Sequence, residues 1–336
     1  MRLGIMVYLA DVEAADFTEL KTVLEATQGN LSVHLKKLEE AGYVAISKSF
    51  VNNKPLTRAA ITLEGRKAFD AYLEALGGLI GRKAFSDGGR WASTEAAAGQ
   101  AMRLVEQGAE VLDVGGESTR PGAEPVSEAE EIDRVVPVIE AVRARWGGPI
   151  SVDTMKPAVA RAAVAAGATM WNDVTALSHA PDSAAVAAEL GCEVVLMHMR
   201  GEPRTMQADP QYEDVVAEVR AYLLGRAEAA AAAGVARERI WLDPGIGFGK
   251  TPAHNMALTA RLGELVALGF PVLYAASRKR TIQAVDPTAV EATDRLGGSL
   301  ALALEGARRG ARMVRVHDVR ETVQALKLQA AVAAAE

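Results

Sequence analysis

The chain reads as α/β in two unequal parts, a small α+β unit followed by a (β/α)8 barrel. Three observations predict this. Apolar residues recur at helical spacing up to about residue 76; beyond it, short β-branched runs alternate with Ala-rich stretches; and nearly every such run stops at a polar cluster. At 336 residues the chain exceeds the size at which a single core stops growing, so two domains are expected, 1–76 and 85–336, with 77–84 as junction or degenerate first barrel strand.

Composition narrows the function classes. With 49% apolar and 24% charged residues the chain carries an ordinary core and does not resemble a disordered one. Its longest uncharged apolar stretch, Leu265 to Ser277, has 13 residues, against the ~20 needed to cross a bilayer. The opening MRLGIMVYLA runs straight into Asp11 and Glu13 without a charged leader, and the lone Cys192 lies in an apolar run. A core thiol and a cytoplasmic location are expected. Net charge of −6 argues against a surface coated for nucleic acid, yet Gln28 to Arg58 holds 5 basic residues against 2 acidic ones. The basic character is local.

In the first part, residues 2–10 read as a helix and Ala15 to Ala26 as a second, with Leu20, Val23 and Leu24 inward. A turn follows at Thr27-Gln28-Gly29, and Asn30 is expected to cap a third helix, LSVHLKKLEEAGY. Its stripe Leu31, Leu35, Leu38 points one way and leaves Gln28, Asn30, Ser32, His34, Lys36 and Lys37 for the other. Two alternating segments, YVAISKSFV and LTRAAITL, joined by Asn52-Asn53-Lys54-Pro55, read as a hairpin, and Glu64 to Leu76 as a last helix. This is the element order of a winged helix-turn-helix module, and residues 2–76 resemble the small winged-helix transcriptional regulators of bacteria. The resemblance implies contact with double-stranded DNA, placing Gln28, Asn30, Ser32, His34 and Lys37 at bases or backbone and Lys54 and Arg58 along the wing. An amphipathic helix with two lysines also reads as a merely solvated face.

In the second part seven strands are expected, at 110–117, 150–154, 170–175, 193–199, 240–247, 271–277 and 313–318. Their ends carry Asp113, Asp153, Asn172-Asp173, His198, Asp243, Ser277-Arg278-Lys279 and Arg315 with His317. In a barrel these ends gather at one mouth. Arg315 and His317, two apart, project to the same side, and such cations suit a phosphorylated or pyrophosphorylated ligand. Aspartates and an asparagine facing the same cavity suit a flat heterocycle with amine and amide donors. His179 and His254 lie outside any motif and read as solvated; His198 reads equally as ligand contact or as packing.

FSDGG (85–89), EVLDVGGESTRPGA (110–123), SVDTMKPAVARAAVAAGATMWNDV (151–174), DPGIGFGK (243–250), SRK (277–279), RLGGSLALAL (295–304) and RVHDV (315–319) resemble the dihydropteroate synthases over residues 85–330. That resemblance implies a transferase of folate biosynthesis that condenses a pterin-methyl pyrophosphate with p-aminobenzoate, with Mg2+ at the pyrophosphate and a homodimeric assembly. It assigns Asp153, Asn172, Asp243 and Lys279 to the pterin ring, Thr119 and Arg120 to the neighbourhood of pyrophosphate and aminobenzoate, and Arg315 and His317 to the pyrophosphate. Lys279, Arg315, His317 and Arg120 are thus the catalytic candidates, and Asp113, Thr119, Asp153, Asn172, Asp243, Phe248 and Ser277 the substrate-binding ones, Phe248 reading also as barrel packing. A transcriptional regulator with a pterin-sensing, non-catalytic barrel is the alternative. The chain departs from the family in two places. Leu79 to Ala84 stand where the family has the asparagine-bearing first-strand motif that supports magnesium, which predicts reduced activity, and Arg280 stands where a serine is usual. GRKAF occurs at both 65–69 and 81–85, on either side of the junction.

Overall fold

The chain divides into two units, Met1–Arg82 and Lys83–Glu336. The computed structural model describes residues 1–12, 14–24, 26–51, 54–69, 94–119, 124–201, 206–207 and 209–335. The 77–84 junction, the 85–89 motif, the Asn52-Asn53 tip and Arg120 lie outside the described residues.

The first unit runs α1 (Arg2–Val12), β1 (Ala14–Asp16), α2 (Phe17–Val23), α3 (Gln28–Glu40), β2 (Val44–Val51), β3 (Lys54–Ile61) and a helical segment, α4, at 63–69. Leu31, Leu35 and Leu38 face inward as their spacing predicts, and join Ile5, Leu9, Leu20, Val44, Ala59 and Phe69 in one core. Three local readings are corrected. Ala14–Asp16 is a strand, antiparallel to β3, where a helix was expected from Ala15; three residues are too few to show a period of two. Asp16 then starts α2 through a capping box with Glu19. Thr27, and not Asn30, caps α3: its hydroxyl accepts from the Asn30 N–H, leaving Asn30 in the first turn. Finally, β3 begins at Lys54, so Lys54 and Pro55 belong to a strand rather than to the connection.

The second unit alternates helix and strand: α5 (Thr94–Glu106), β4 (Leu112–Gly115), α6 (Glu128–Arg143), β5 (Ile150–Asp153), α7 (Pro157–Ala165), β6 (Met170–Asp173), α8 (Ser183–Leu190), β7 (Glu193–Met197), α9 (Val215–Ala232), β8 (Ile240–Asp243), α10 (Pro252–Ala260), α11 (Gly263–Val266), β9 (Leu273–Tyr274), α12 (Arg280–Val285), α13 (Leu296–Arg308), β10 (Met313–Val314) and α14 (Val319–Ala333). All seven expected strands are present. β4 to β8 form one parallel sheet in sequence order, a bridge from Leu242 to Val272 leads on, and β9 pairs in parallel with β10. Parallel strands joined by helices are covered on both faces, which is why their sequences are apolar throughout.

Strand alternation sorts the residues into two sets. Leu112, Val114, Ile150, Val152, Trp171, Val194, Leu196, Ile240, Leu242, Val272 and Tyr274 turn outward and join the helices' buried alanines and valines in the main core. Met170, Val195 and Leu273 form a separate inner cluster packed by Trp241, Ala275 and Met313. The inner parity, carried one step toward each strand's C-terminal end, reaches Asn172, Met197, Asp243, Ser277 and Arg315. Asp173, Tyr274 and His198 have the outer parity. The fold therefore decides by counting in twos which polar residues face the mouth.

Candidate active site

At the mouth, Arg315 is the centre of charge. Its Nε donates to Asp113 Oδ2 at 2.6 Å and its Nη2 to Asp153 Oδ2 at 3.2 Å, so strand ends far apart in sequence meet in one cation. Asn172 Nδ2 reaches Asp113 Oδ2 at 3.4 Å. The other oxygens, Asp113 Oδ1 and Asp153 Oδ1, are buried and have no hydrogen-bond partner. A buried, unsatisfied carboxylate oxygen is costly and marks a place where a donor is to arrive. Burial, then the negative charge of Asp113, push the Asp153 carboxyl up, and Arg315 opposes them.

Asp243 ends β8 from the inner side. Its Oδ1 accepts the Gly245 N–H at 2.7 Å, and burial pushes its pKa up to about 6 against that bond and the charges of Lys279, Lys250 and Arg315. The turn it holds is possible because residue 245 is glycine. Its φ is +66°, and a Cβ there would stand 2.0 Å from the His198 carbonyl oxygen. Lys279 comes from the neighbouring strand end, beyond β9, its Nζ lying 4.3 Å from the centre of the Phe248 ring. Phe248, read both as packing and as ligand contact, thus stands in the mouth beside the lysine. Ser277 Oγ lies 3.0 Å from His317 Nδ1 and accepts the His317 N–H at 3.3 Å, so the serine holds the histidine. Thr119 is half-buried just beyond β4.

Several residues that the motifs contain without announcing their roles support this arrangement. Arg278 adopts a left-handed backbone with φ of 57°. Its carbonyl accepts from Arg295 at 3.0 Å, its N–H donates to Ser299 at 2.9 Å, and its guanidinium pairs with Asp318. This strained turn aims Lys279, and it gives RLGGS a purpose. Lys250 is buried in the Gly-rich turn, donating to the carbonyls of Gly245 (3.0 Å), Phe248 (3.0 Å) and His198 (3.1 Å) and lying 2.9 Å from His198 Nδ1. Burial, then the Lys250 charge, drive the His198 pKa down to about 3, so its imidazole is a neutral acceptor packed edge-on against Tyr222. The outer parity makes His198 a structural residue. His254 is not simply solvated either: it closes a capping box with Thr251 at the start of α10 and stacks edge-on with Tyr212. Asp173 likewise turns away from the mouth, accepting from the N–H groups of Thr175 and Leu177. A buried lysine or arginine held by carbonyls carries no sequence period, which is why Lys250 and Arg295 could not be singled out beforehand.

Residues 82–317 match the family described as pterin binding enzyme, and residues 1–80 the winged helix DNA-binding domain. The chain is 47% identical over 244 residues to the dihydropteroate synthase of Escherichia coli K12, covering 73% of this chain and 86% of that one.

The chain belongs to the dihydropteroate synthase family.

It is accordingly a transferase of folate biosynthesis built on the family's TIM barrel. The Xanthomonas albilineans dihydropteroate synthase solved with 4-aminobenzoic acid superposes with a TM-score of 0.69 at 50% identity, over 74% of this chain and 89% of that one. The same organism's enzyme in complex with 7,8-dihydropteroate gives a TM-score of 0.66 at 48% identity, over 74% and 89%. Among the described residues no helix is long and apolar enough to cross a membrane.

Proposed function

We propose that this dihydropteroate synthase barrel binds a pterin-methyl pyrophosphate against Asp113, Asp153, Asn172, Asp243 and Lys279 and joins its methylene carbon to the amine nitrogen of p-aminobenzoate. The observation that carries the assignment of residues is the pair of unpartnered oxygens, Asp113 Oδ1 and Asp153 Oδ1, beside Arg315. Carboxylates in that position accept from the N–H edge of an aminopyrimidine. The C–O bond to pyrophosphate breaks with its electron pair on oxygen, and the pterin ring spreads the positive charge left on the methylene. The amine then forms the C–N bond and loses a proton, giving dihydropteroate, pyrophosphate and H+. No protein nucleophile is needed. The protein's work is electrostatic: Arg315, His317, Arg120 and Thr119 meet the charge growing on the leaving group, and Lys279 holds the ring over Phe248.

Magnesium belongs to this reading through the pyrophosphate. Among the described residues no group of three or more His, Cys, Asp or Glu is arranged to hold a metal ion. A homodimer in the cytoplasm and turnover lowered by the replaced first-strand motif complete the proposal, with domain limits of 1–76 and 85–336. Incubation of the purified protein with both substrates and magnesium should yield dihydropteroate; none above background at high protein concentration removes the catalytic claim.

Affinity should also follow pH. Ionised carboxylates accept the pterin's donors, so ligand binding favours the deprotonated form of Asp243, whose free-protein pKa is raised to about 6. The dissociation constant for the pterin should be flat only above about pH 8 and weaken below it as Asp153, raised to about 7, and then Asp243 take up protons, by up to roughly tenfold per unit for each. A calorimetric titration series between pH 8 and 5 checks this, and a Kd that improves on acidification contradicts it.

A second activity is proposed for the first unit, binding of double-stranded DNA under pterin control. Gln28, Asn30, Ser32 and Lys37 are exposed on α3 and Arg58 on β3. His34 is half-buried there, its pKa lowered by burial and then by the N-terminus, Arg2 and Lys37. Such a cluster of positive charge suits phosphate. Affinity for duplex DNA should fall as salt rises, and Lys37→Ala should weaken it and reduce the salt slope by about 1. Fluorescence anisotropy in a salt series, with and without pterin, checks both; affinity indifferent to salt rules out phosphate contact.

A further inference from the structure

The chain leaves the mouth after β4 at Glu117 and rejoins α6 past Val126, and one buried ammonium touches both ends of that connection. Lys156 Nζ pairs with Glu117, donates to the Val126 carbonyl at 2.6 Å and donates to Glu131 Oε2 on α6 at 2.6 Å. Three donors meet three acceptors, so the ammonium's capacity is used in full. Lys156 is 8% exposed and Glu131 fully buried. The lysine stands at the N-cap position of α7, three residues beyond Asp153, and its backbone N–H donates to Thr154 Oγ1 at 3.2 Å. It therefore hangs from the same strand end that supplies a candidate pterin ligand.

Gly116, just ahead of Glu117, is held as firmly. A Cβ on Gly116 would lie 2.8 Å from Glu131 Cγ and 2.9 Å from Val135 Cγ1, so α6 lies directly on the turn. Arg134 Nη1 on α6 donates to the Gly116 carbonyl at 2.7 Å. Burial lowers the Lys156 pKa, but the bonds to Glu117 and Glu131 and their charges outweigh it and the net shift is upward, so the ammonium stays charged. Burying three charged groups where apolar side chains of similar volume would fit adds little to stability by itself. What such a network supplies is geometry.

We infer that Lys156 is a positioning residue: it ties Glu117, just beyond β4, and Val126, ahead of α6, to the strand end bearing Asp153, and thereby sets the place of Thr119, two residues after Glu117. The inference rests on the reading that Thr119 lies beside p-aminobenzoate and pyrophosphate. Lys156 itself points away, into the protein. Removing it should disturb the second substrate and spare the first, because Asn172 and Asp243 stand on other strands and Arg315 still holds Asp113 and Asp153.

Lys156→Met should raise KM for p-aminobenzoate at least tenfold and lower kcat, while the Kd for the pterin pyrophosphate, read by calorimetry, stays within about twofold. Lys156→Arg should recover part of the KM, and Glu117→Gln should fall between, since Val126 and Glu131 still hold the ammonium. Equal losses for both substrates, or no loss, overturn the inference. Turnover by the wild-type chain in the same assay separates this outcome from failure of the synthase reading. The crystal structure of Lys156→Met gives a readout independent of turnover. Displacement of Glu117 and Val126 with Asp113, Asp153 and Asn172 in place supports the inference, and an unmoved connection overturns it. Should the single variant not fold, combining it with Glu131→Gln leaves no bare carboxylate in the fully buried position and permits the same measurements.

Discussion

Replacing Arg315 with alanine should leave two half-buried carboxylates, Asp113 and Asp153, without their shared cation. Breaking a buried ion pair by removing one partner costs about 3–5 kcal/mol, and the lower end is expected here because the Arg315 side chain keeps 34% of its surface in water. The sign of the pH dependence is distinctive. An acid whose pKa is raised in the folded state contributes stability that is present below its unfolded value and is lost as pH rises through its folded value. Burial and Asp113 already raise Asp153, and loss of Arg315 removes the one opposing charge among its leading influences. The variant should therefore lie closest to wild type near pH 5 and furthest from it near pH 8. Urea unfolding of both proteins at the two pH values reads this directly, and a deficit independent of pH would contradict it. Catalysis should fall by more than the stability loss suggests, since the same guanidinium is assigned to the departing pyrophosphate. Arg315→Lys should restore part of the stability but little turnover, because one ammonium does not reproduce a planar fork set between two carboxylates.

Asp243→Asn should separate function from stability. The amide oxygen can still accept the Gly245 N–H, so the turn is kept. Its NH2 group, however, meets the pterin's donors where a carboxylate would accept them. A loss of about 100- to 1,000-fold in kcat/KM is expected, the scale of one or two charge-assisted hydrogen bonds. Stability should move the other way. With Asp243 only 4% exposed and its pKa raised to about 6 from 3.8, the ionised group costs the folded state about 1–3 kcal/mol at pH 7.5. The asparagine variant should gain that much above pH 6 and lose the gain below about pH 4. Thermal unfolding across this range, alongside steady-state kinetics, tests both halves. A variant that is inactive and also less stable at pH 7.5 would mean that the turn, not the charge, was its contribution.

Much of the candidate site could be read from residue order because a parallel strand reports its own orientation. Two apart along a strand means the same side, so Asp153 with Ser151, Asn172 with Met170, Asp243 with Trp241 and Arg315 with Met313 are set by alternation once the strands are recognised. The same rule, applied without the inner cluster of Met170, Val195 and Leu273 as a reference, left His198 undecided; its outer parity shows only when the core residues beside it are located. β1 has no signature in the sequence for a different reason. Ala14–Asp16 is held by β3 rather than by its own propensities, so its three residues give no local signal. Thr27 and Asn30 are both good caps, and one turn of helix decided between them.

The amino-acid order alone carried the two-part division, the seven strands and the polar residues at their ends, because hydrophobic period and turn chemistry are properties of neighbours. The pairing of charges required the folded chain. Arg315 and Asp113 are 202 positions apart, yet one hydrogen bond of 2.6 Å joins them. Lys156, Lys250 and Arg295 each sit among carbonyls or carboxylates drawn from several segments. Desolvation and Coulomb energy depend on distance in space, and no spacing along the chain encodes which buried cation will meet which acceptor.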